Sequence, residues 1–284
     1  MRKWIPGLGA VMALLLAGCA SPPKVTETAT TTQLAFAPER PAPAIEMSPQ
    51  LVMLRPDRIP QIAGGLAGRT IRVSRISDIT LGPKEVVLTF DDGPVPGNTE
   101  RILETLDDFG VKATFLMVGQ MARAYPGIAR KVAARGHSIG SHTQNHPNLA
   151  AMSHGAALTE INAGRRSVEA ALTPMKPAPF FRFPYLASTN ALRNSLAAQG
   201  IVVIDVDIDS KDYFKVGPTV VRAQTMSRVA RQGSGIILLH DLHARTAAML
   251  PGLLSDLKAR GYKVVHLAPG TPGDDVLMAS VEAE

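Results

Sequence analysis

Two short segments combine residue types that can bind a metal ion and move protons. The first reads TFDDGP and places Asp91 and Asp92 directly after the apolar run VVLTF. The second reads SHTQNH and places His142 and His146 four residues apart. Asp-Asp-Gly-Pro is also ordinary turn chemistry, so the first segment alone leaves a simple turn open. Two imidazoles and one carboxylate, however, are the protein ligands that leave a catalytic zinc ion open to water, and together the segments predict a metal site.

The elements that must position these residues follow a regular pattern from residue 86 onward. Short β-rich runs alternate with segments that carry apolar residues at three- and four-residue spacing. The strand candidates are 86–90, 112–118, 137–141, 180–183, 201–206, 235–240 and 262–267. The helix candidates are 98–109, 120–135, 154–172, 189–199, 217–232 and 245–260. This alternation predicts parallel βα units, which either close into a barrel or remain an open doubly wound sheet.

Polar residues at the ends of the strand candidates favour the barrel. They are Asp91, Asp92, His142, Arg182, Asp207, Asp209 and His240. A (β/α) barrel assembles its active site at the carboxyl ends of several strands, whereas a doubly wound sheet concentrates its ligands near one switch point. Five of the seven strand candidates contribute such a residue, so we expect an α/β fold with one barrel domain.

These residues also carry a family resemblance. The chain from about residue 86 to 268 resembles the polysaccharide deacetylase domain of carbohydrate esterase family four, the NodB-like homology domain. Five segments occur in the order of that family, namely TFDDGP, SHTQNH, RFPY (182–185), DSKDY (209–213) and LLH (238–240). The resemblance implies a distorted (β/α)7 barrel that hydrolyses N-acetyl or O-acetyl groups on sugars.

The resemblance also implies a metal centre and an acid–base pair. Asp92, His142 and His146 would hold a divalent metal, most simply Zn²⁺, while Asp91 would act as the base. His240, at the end of another strand, would protonate the departing amine.

Supporting roles follow for the remaining segments. Arg182 would keep Asp91 ionised, and Asp209 would do the same for His240 as an imidazolium. The backbone N–H near Tyr185 would stabilise the oxyanion. The residues expected to contact the substrate are Pro184, Tyr213 and Leu238.

Two positions depart from the family pattern. Tyr213 stands where the family often has Trp, and Leu186 stands where Gly is common. Both lie near the acyl or sugar pocket in the resemblance, so they bear on substrate detail rather than on the metal. The histidines outside the five segments are expected to be structural; they are His137, His154, His243 and His266.

The first residues predict export. Arg2 and Lys3 precede an apolar run that is too short to span a membrane and ends in LAGC. This end resembles the lipobox of bacterial lipoproteins, in which Cys19 becomes the lipidated N-terminus. The alternative is a signal peptide cleaved nearby, with Cys19 present by chance. By resemblance to Gram-negative sorting, Ala20 favours the periplasmic face of the outer membrane.

We therefore divide the chain into a signal peptide (1–18), a flexible Thr- and Pro-rich tether (19–50), a lead-in segment expected to form a small hairpin (51–83), the deacetylase domain (84–270) and a C-terminal tail (271–284).

A single Cys excludes an intramolecular disulfide. The formal charge of +6 becomes +4 once residues 1–18, with two cations and no acid, are removed. No basic run with interleaved aromatics indicates nucleic acid, and nothing in the sequence implies a protein partner.

Three functions are compatible with this sequence. The first is a metal-dependent deacetylase of an N-acetylglucosamine polymer such as peptidoglycan, an exopolysaccharide or a chitin-like oligomer. The second is a related C–N hydrolase acting on a small non-sugar amide, which would need neither tether nor anchor. The third is a non-catalytic glycan-binding lipoprotein, which would need neither the base nor the acid. We expect the first.

Overall fold

The computed structural model describes residues 65–270. The predicted signal peptide, Cys19, the tether, residues 51–64 of the lead-in segment and the C-terminal tail lie outside the described residues. The strands are β1 (Ala67–Val73), β2 (Glu85–Asp91), β3 (Thr114–Met117), β4 (Ser138–Ser141), β5 (Phe180–Phe181), β6 (Val202–Val203), β7 (Ile208–Asp209), β8 (Gly235–His240) and β9 (Lys263–Pro269). The α-helices are α1 (Asn98–Asp108), α2 (Gly119–Ala124), α3 (Pro126–Ala134), α4 (His154–Leu172), α5 (Asn190–Ala197), α6 (Pro218–Gln232) and α7 (Ala244–Ala259). None of these helices is long and apolar enough to cross a membrane.

All strand pairs are parallel, as βα alternation predicts. Strand β2 lies at the centre, between β3 and β8, and the sheet continues through β4, β5 and β6 on one side and β7 on the other. Within residues 65–270 no ladder joins β6 to β7. The seven strands β2–β8 therefore form a distorted (β/α) barrel, and β9 and β1 extend the sheet from the start of β2.

One interior contact shows how strongly the sheet curls. Arg182, directly after β5, donates to Oδ1 of Asp91 at the end of β2 over 2.7 Å. On a flat sheet these two strands would lie three spacings apart, about 14 Å, which is beyond the reach of an arginine side chain. The curvature therefore brings the carboxyl ends of non-adjacent strands around one space.

The apolar pattern of β2 explains which side chains face that space. Val86, Leu88 and Phe90 belong to the cluster that packs against α1, α6 and α7. Val87 belongs instead to a cluster drawn from strands and the residues beside them. Because side chains alternate along a strand, Asp91 faces the interior with Val87.

Strand β1 lies within the segment that was expected to lead into the domain. It pairs in parallel with β9, from Ala67 opposite Val264 to Val73 opposite Pro269. Ile71 and Val73 are buried in the interior cluster, and this apolar alternation gives the strand a place in the sheet. Residues 67–73 therefore join the sheet of the domain through β9, and residues 51–64 of the expected hairpin lie outside the described residues.

One predicted helix is divided, and one predicted strand is shorter than expected. The helix predicted at 120–135 breaks at Tyr125, because Pro126 starts α3 in the N1 position that proline favours. The strand predicted at 201–206 ends after Val203, and β7 begins only at Ile208. The side chain of Arg182 binds the carbonyls of Ile204 and Asp205, at 3.0 and 3.3 Å, so these groups are engaged by a side chain instead of a ladder.

Candidate active site

A cavity of about 520 Å³ opens at the carboxyl ends of the strands. Its lining contains nine of the predicted site residues together with three others. The lining residues are Asp91, Asp92, His142, His146, Phe183, Tyr185, Leu186, Asp209, Tyr213, Leu238, His240 and His243. Arg182 and Pro184, which were also predicted, are buried beside it.

Three of these residues form a candidate metal centre. Asp92 Oδ1 lies 3.3 Å from Nε2 of His146 and 3.7 Å from Nε2 of His142. One potential ligand atom from each residue falls within 4.8 Å of the others. The Oδ1 atom of Asp92 is buried and has no hydrogen-bond partner, which is costly unless a cation satisfies it. The structure therefore brings together the predicted ligand set, and this set fits a divalent metal such as Zn²⁺.

The backbone fixes which nitrogen of His142 faces the centre. Nδ1 lies 2.7 Å from the carbonyl oxygen of Arg182. A carbonyl only accepts, so Nδ1 carries the proton and Nε2 presents its lone pair to Asp92. Burial lowers the pKa of His142 below its usual range, which keeps the imidazole neutral, as a metal ligand must be.

Helix α4 holds the loop between the two histidines. Its Glu160 accepts from the backbone N–H of Asn145, and Thr143 Oγ1 accepts from the N–H of His146 at 3.0 Å. A Cβ atom at Gly164 would lie 2.3 Å from the carbonyl carbon of Thr143. Only glycine therefore permits this close approach of α4 to the loop. The sequence pattern did not indicate that Glu160 and Gly164 support the site.

Asp91 and Arg182 form the buried pair that the sequence predicted. Their side chains are 3 % and 1 % exposed, and Arg182 also donates to Thr89 Oγ1 at 2.7 Å. Oδ1 of Asp91 is thus occupied by the guanidinium, whereas Oδ2 lies 3.8 Å from Nε2 of His142. The free carboxylate oxygen therefore lies beside the metal centre.

His240 pairs with Asp212, so the predicted pairing with Asp209 is wrong. Its Nδ1 lies 2.6 Å from Oδ1 of Asp212, and its backbone N–H donates to Oδ2 at 2.8 Å. Burial alone would lower the pKa of His240, but the hydrogen bond and charge of Asp212 raise it to about 9. Burial alone would raise the pKa of Asp212, but the hydrogen bonds and charge of His240 and the hydrogen bond from Thr246 lower it below its usual range. The raised pKa of His240 and the lowered pKa of Asp212 both indicate that the two side chains form an ionised pair.

The strand register explains why Asp212, and not the predicted Asp209, pairs with His240. Asp209 is opposite Leu238 in the β7–β8 ladder, so His240 lies two residues further along β8. The loop after β7 then brings Asp212 across the end of β8. Asp209 instead accepts from the hydroxyl of Tyr213 at 2.8 Å. Burial, followed by this hydrogen bond, raises the pKa of Tyr213 to about 12.

A further carboxyl group that the sequence did not reveal is Asp241. It is buried and accepts from Thr99 Oγ1 at 2.6 Å. A Cβ atom at Gly93 would lie 2.0 Å from its Oδ2, so Asp241 supports the turn that follows the two active-site aspartates. Burial raises the pKa of Asp241 to about 7. An aspartate after a strand is common in turns, which is why this position carried no signal.

The segment after β5 forms one side of the cavity. Pro184 to Leu186 make a short 3-10 helix, in which Tyr185 and Leu186 have positive φ angles of 57° and 55°. The ring of Tyr185 contacts that of His146 with centroids 4.8 Å apart. Leu186 thus adopts a backbone conformation that glycine favours, at the position where the sequence departs from the family pattern.

The remaining histidines differ in their relation to the site. His137 directly precedes β4, at the opposite end of the barrel, where burial lowers its pKa to about 3. His154 contacts Ser195, and His266 contacts Ser138. His243 alone among these lines the cavity, with its ring centroid 5.9 Å from that of His240.

Comparison with known proteins identifies the family. The family model described as polysaccharide deacetylase matches residues 78–204. A chitooligosaccharide deacetylase from Sinorhizobium fredii is 30% identical over 199 residues, which cover 66% of this chain and 91% of that protein. This chain belongs to the polysaccharide deacetylase family.

Other relatives are longer than the matched region. A peptidoglycan-N-acetylglucosamine deacetylase from Listeria monocytogenes is 32% identical over 186 residues, which cover 65% of this chain and 38% of that protein. The structure of a peptidoglycan deacetylase from Bdellovibrio bacteriovorus has a TM-score of 0.64 and 32% identity, covering 74% of this chain and 57% of that one. This chain therefore spans only part of the length of these two relatives.

The ligand set predicts how metal binding responds to substitution. Replacing His142 or His146 by Ala should weaken zinc binding by more than about 100-fold, because losing a direct ligand costs more than losing an outer hydrogen-bond partner. Bound zinc per chain, measured by elemental analysis after equilibrium dialysis, checks this. His243→Ala is the matched control, since His243 lines the same cavity outside the ligand set. A His142→Ala protein that still holds one zinc per chain would contradict the assignment.

Proposed function

We propose that this protein is a metal-dependent deacetylase that removes N-acetyl groups from an N-acetylglucosamine-containing polysaccharide such as peptidoglycan. The relatives named as deacetylases of peptidoglycan and chitooligosaccharides support the substrate class. The observation that carries the proposal is the single cavity in which a metal-ligand set, a carboxylate and a positively charged histidine meet. Metal-assisted hydrolysis of an amide uses all three: a metal, a base and an acid.

The ligand set would hold the metal, most simply Zn²⁺. A zinc ion in such a site supplies Lewis acidity and a water molecule of lowered pKa. Asp92, His142 and His146 would bind it through one oxygen and two Nε2 atoms, while the proton of His142 stays on Nδ1 against the carbonyl of Arg182.

Asp91 is the proposed base. Arg182 occupies Oδ1, so Oδ2 is the oxygen available to accept a proton beside the ligand set. Asp91 is therefore oriented before substrate binds.

His240 is the proposed acid. Asp212 raises its pKa to about 9, so His240 is protonated at neutral pH. Nδ1 is engaged by Asp212, which leaves the proton on Nε2 to be given to the nitrogen of the departing sugar amine. The amine would otherwise have to leave as an anion.

The walls of the cavity would orient the acetyl group. The backbone N–H of Tyr185 lies in the first turn of the 3-10 helix, where N–H groups lack helical partners, and it would donate to the developing oxyanion. Leu238 and Tyr213 would contact the methyl group, and Pro184 would shape the wall beside them. With the acetyl group bound in this way, the sugar would lie at the open side of the cavity.

The alternatives differ in what they would require of the cavity. A pure glycan-binding protein would have no need of the separately positioned Asp91 and His240. A C–N hydrolase of a small non-sugar amide would use the same ionised groups but would not need an open mouth lined by exposed Tyr185 and Tyr213. The exposed mouth thus favours a polymeric substrate.

Acetate release tests the function. The zinc-loaded protein should release acetate from N-acetylglucosamine oligomers or peptidoglycan, and Asp91→Asn should retain zinc yet lose on the order of 10² to 10⁴ in kcat, as expected for one acid–base group. Coupled assay of free acetate, together with elemental analysis, measures both. If the wild type binds the glycan but releases no acetate, the non-catalytic alternative is correct.

The His240–Asp212 pair predicts the alkaline limb of the pH profile. Asp212→Asn removes the negative charge that raises the pKa of His240 to about 9. His240 then loses its proton at lower pH. The alkaline limb of kcat/KM should therefore move to lower pH than in the wild type. Asp209→Asn should leave that limb in place, because Asp209 contacts Tyr213 instead. The pH dependence of kcat/KM for both variants checks this. Equal shifts in the two variants would exclude Asp212 as the partner.

We also propose that the protein is exported and anchored by lipid at Cys19, with its domain on the periplasmic face of the outer membrane. The LAGC sequence and the polar stretch that follows support this, and both lie outside the described residues. Cys19→Ser should move the protein from the membrane fraction to the soluble fraction while acetate release per molecule stays unchanged, because the catalytic residues lie far along the chain. A Ser variant that still sediments with membranes after a salt wash would refute the anchor.

A further inference from the structure

Large apolar side chains that remain exposed gather near the mouth of the cavity. Five of the nine in residues 65–270 lie on the three segments that also supply cavity residues; they are Tyr185, Leu186, Tyr213, Phe214 and Leu242. Phe214 is 53 % exposed and is used by no part of the mechanism above. An exposed apolar group continuous with a binding cavity commonly belongs to the binding surface.

The position of Phe214 is fixed by its backbone. Its N–H donates to the carbonyl of Lys211 at 3.2 Å, and its carbonyl accepts from Val216 at 2.8 Å. The guanidinium of Arg245 donates to the carbonyls of both Phe214 and Asp212. The same cation thus ties Phe214 to the backbone of Asp212, whose carboxylate pairs with the proposed acid. A ring presented by such a loop binds with little loss of backbone freedom.

A row of rings leads from the acid to Phe214. The centroid of Tyr213 lies 5.6 Å from that of His240 and 4.8 Å from that of Phe214. Tyr213 lines the cavity, whereas Phe214 lies one ring further from His240 and outside the lining. A substrate whose amide reaches the ligand set would therefore extend over Tyr213 toward Phe214.

We propose that Phe214, together with the outer face of Tyr213, forms a subsite for the sugar next to the one that loses its acetyl group. This inference rests on the proposed deacetylase function. The apolar C–H face of a pyranose packs against an aromatic ring while its hydroxyls remain in water, and this suits a phenylalanine that is 53 % exposed. The occupant follows from continuity with the cavity, since a neighbouring sugar is the group that a bound N-acetylglucosamine unit would place there.

The test compares substrates that do and do not reach the subsite. For Phe214→Ala, the ratio of kcat/KM for the N-acetylglucosamine tetramer to that for an activated aryl acetate should fall about tenfold, the size expected for one aromatic contact. The loss should lie mainly in KM. Phe214→Trp should restore the ratio. Ile76→Ala is the matched control, because Ile76 is also exposed but lies beside Gly235, at the opposite end of β8 from His240.

A binding measurement without turnover distinguishes failure of the subsite proposal from failure of the proposed function. In an Asp91→Asn background, Phe214→Ala should weaken calorimetric affinity for the tetramer about tenfold. Unchanged tetramer affinity and an unchanged ratio, in a wild type that does release acetate from the tetramer, would overturn the subsite alone. Equal losses on tetramer and aryl acetate would also overturn it, since Phe214 would then support the fold of the site. A wild type that hydrolyses the ester but never the tetramer would overturn the proposed function itself.

Discussion

The buried side chain of Arg182 is the constraint on which the rest of the site depends. Its guanidinium donates to Asp91 and Thr89 on β2 and to the carbonyls of Ile204 and Asp205 after β6. A buried ion pair recovers its desolvation cost only when its geometry is good and its remaining polar atoms are satisfied, and these acceptors meet that condition. The carbonyl of Arg182 meanwhile orients His142. One residue therefore couples the curvature of the sheet to the proposed base and to a proposed metal ligand.

Much of the fold was accessible from the sequence because it depends on local patterns. Helix α4 begins and ends at the predicted residues, and the parallel sheet follows from the alternation of elements. The errors lie where tertiary contacts outweigh the local pattern. Strand β1 joins β9, about 195 residues later in the chain, through an apolar face that has no distinct local signature. The split between β6 and β7 depends on carbonyls captured by a distant arginine.

The site was predictable to the extent that its chemistry is encoded in adjacent residues. Asp91, Asp92, His142 and His146 lie in two short segments, and their types alone indicate a metal centre. The choice between Asp209 and Asp212 depended on the register of β7 against β8 and on the path of the following loop. The hydrogen bonds by which Asp241 and Glu160 support the site depend on packing between distant elements. The spacing of residues in the sequence determines neither the strand register nor this packing.

The charges around the cavity explain how opposite protonation states coexist at one pH. Asp91 is an anion beside the permanent cation Arg182, and His240 is a cation beside the anion Asp212, so each pair is neutral as a whole. The ligand set adds one negative charge from Asp92, because metal-binding imidazoles are neutral. A divalent cation held there would leave a net positive charge. That charge would face the oxygen of a bound amide as it becomes negative, and would therefore stabilise the transition state more than the neutral substrate.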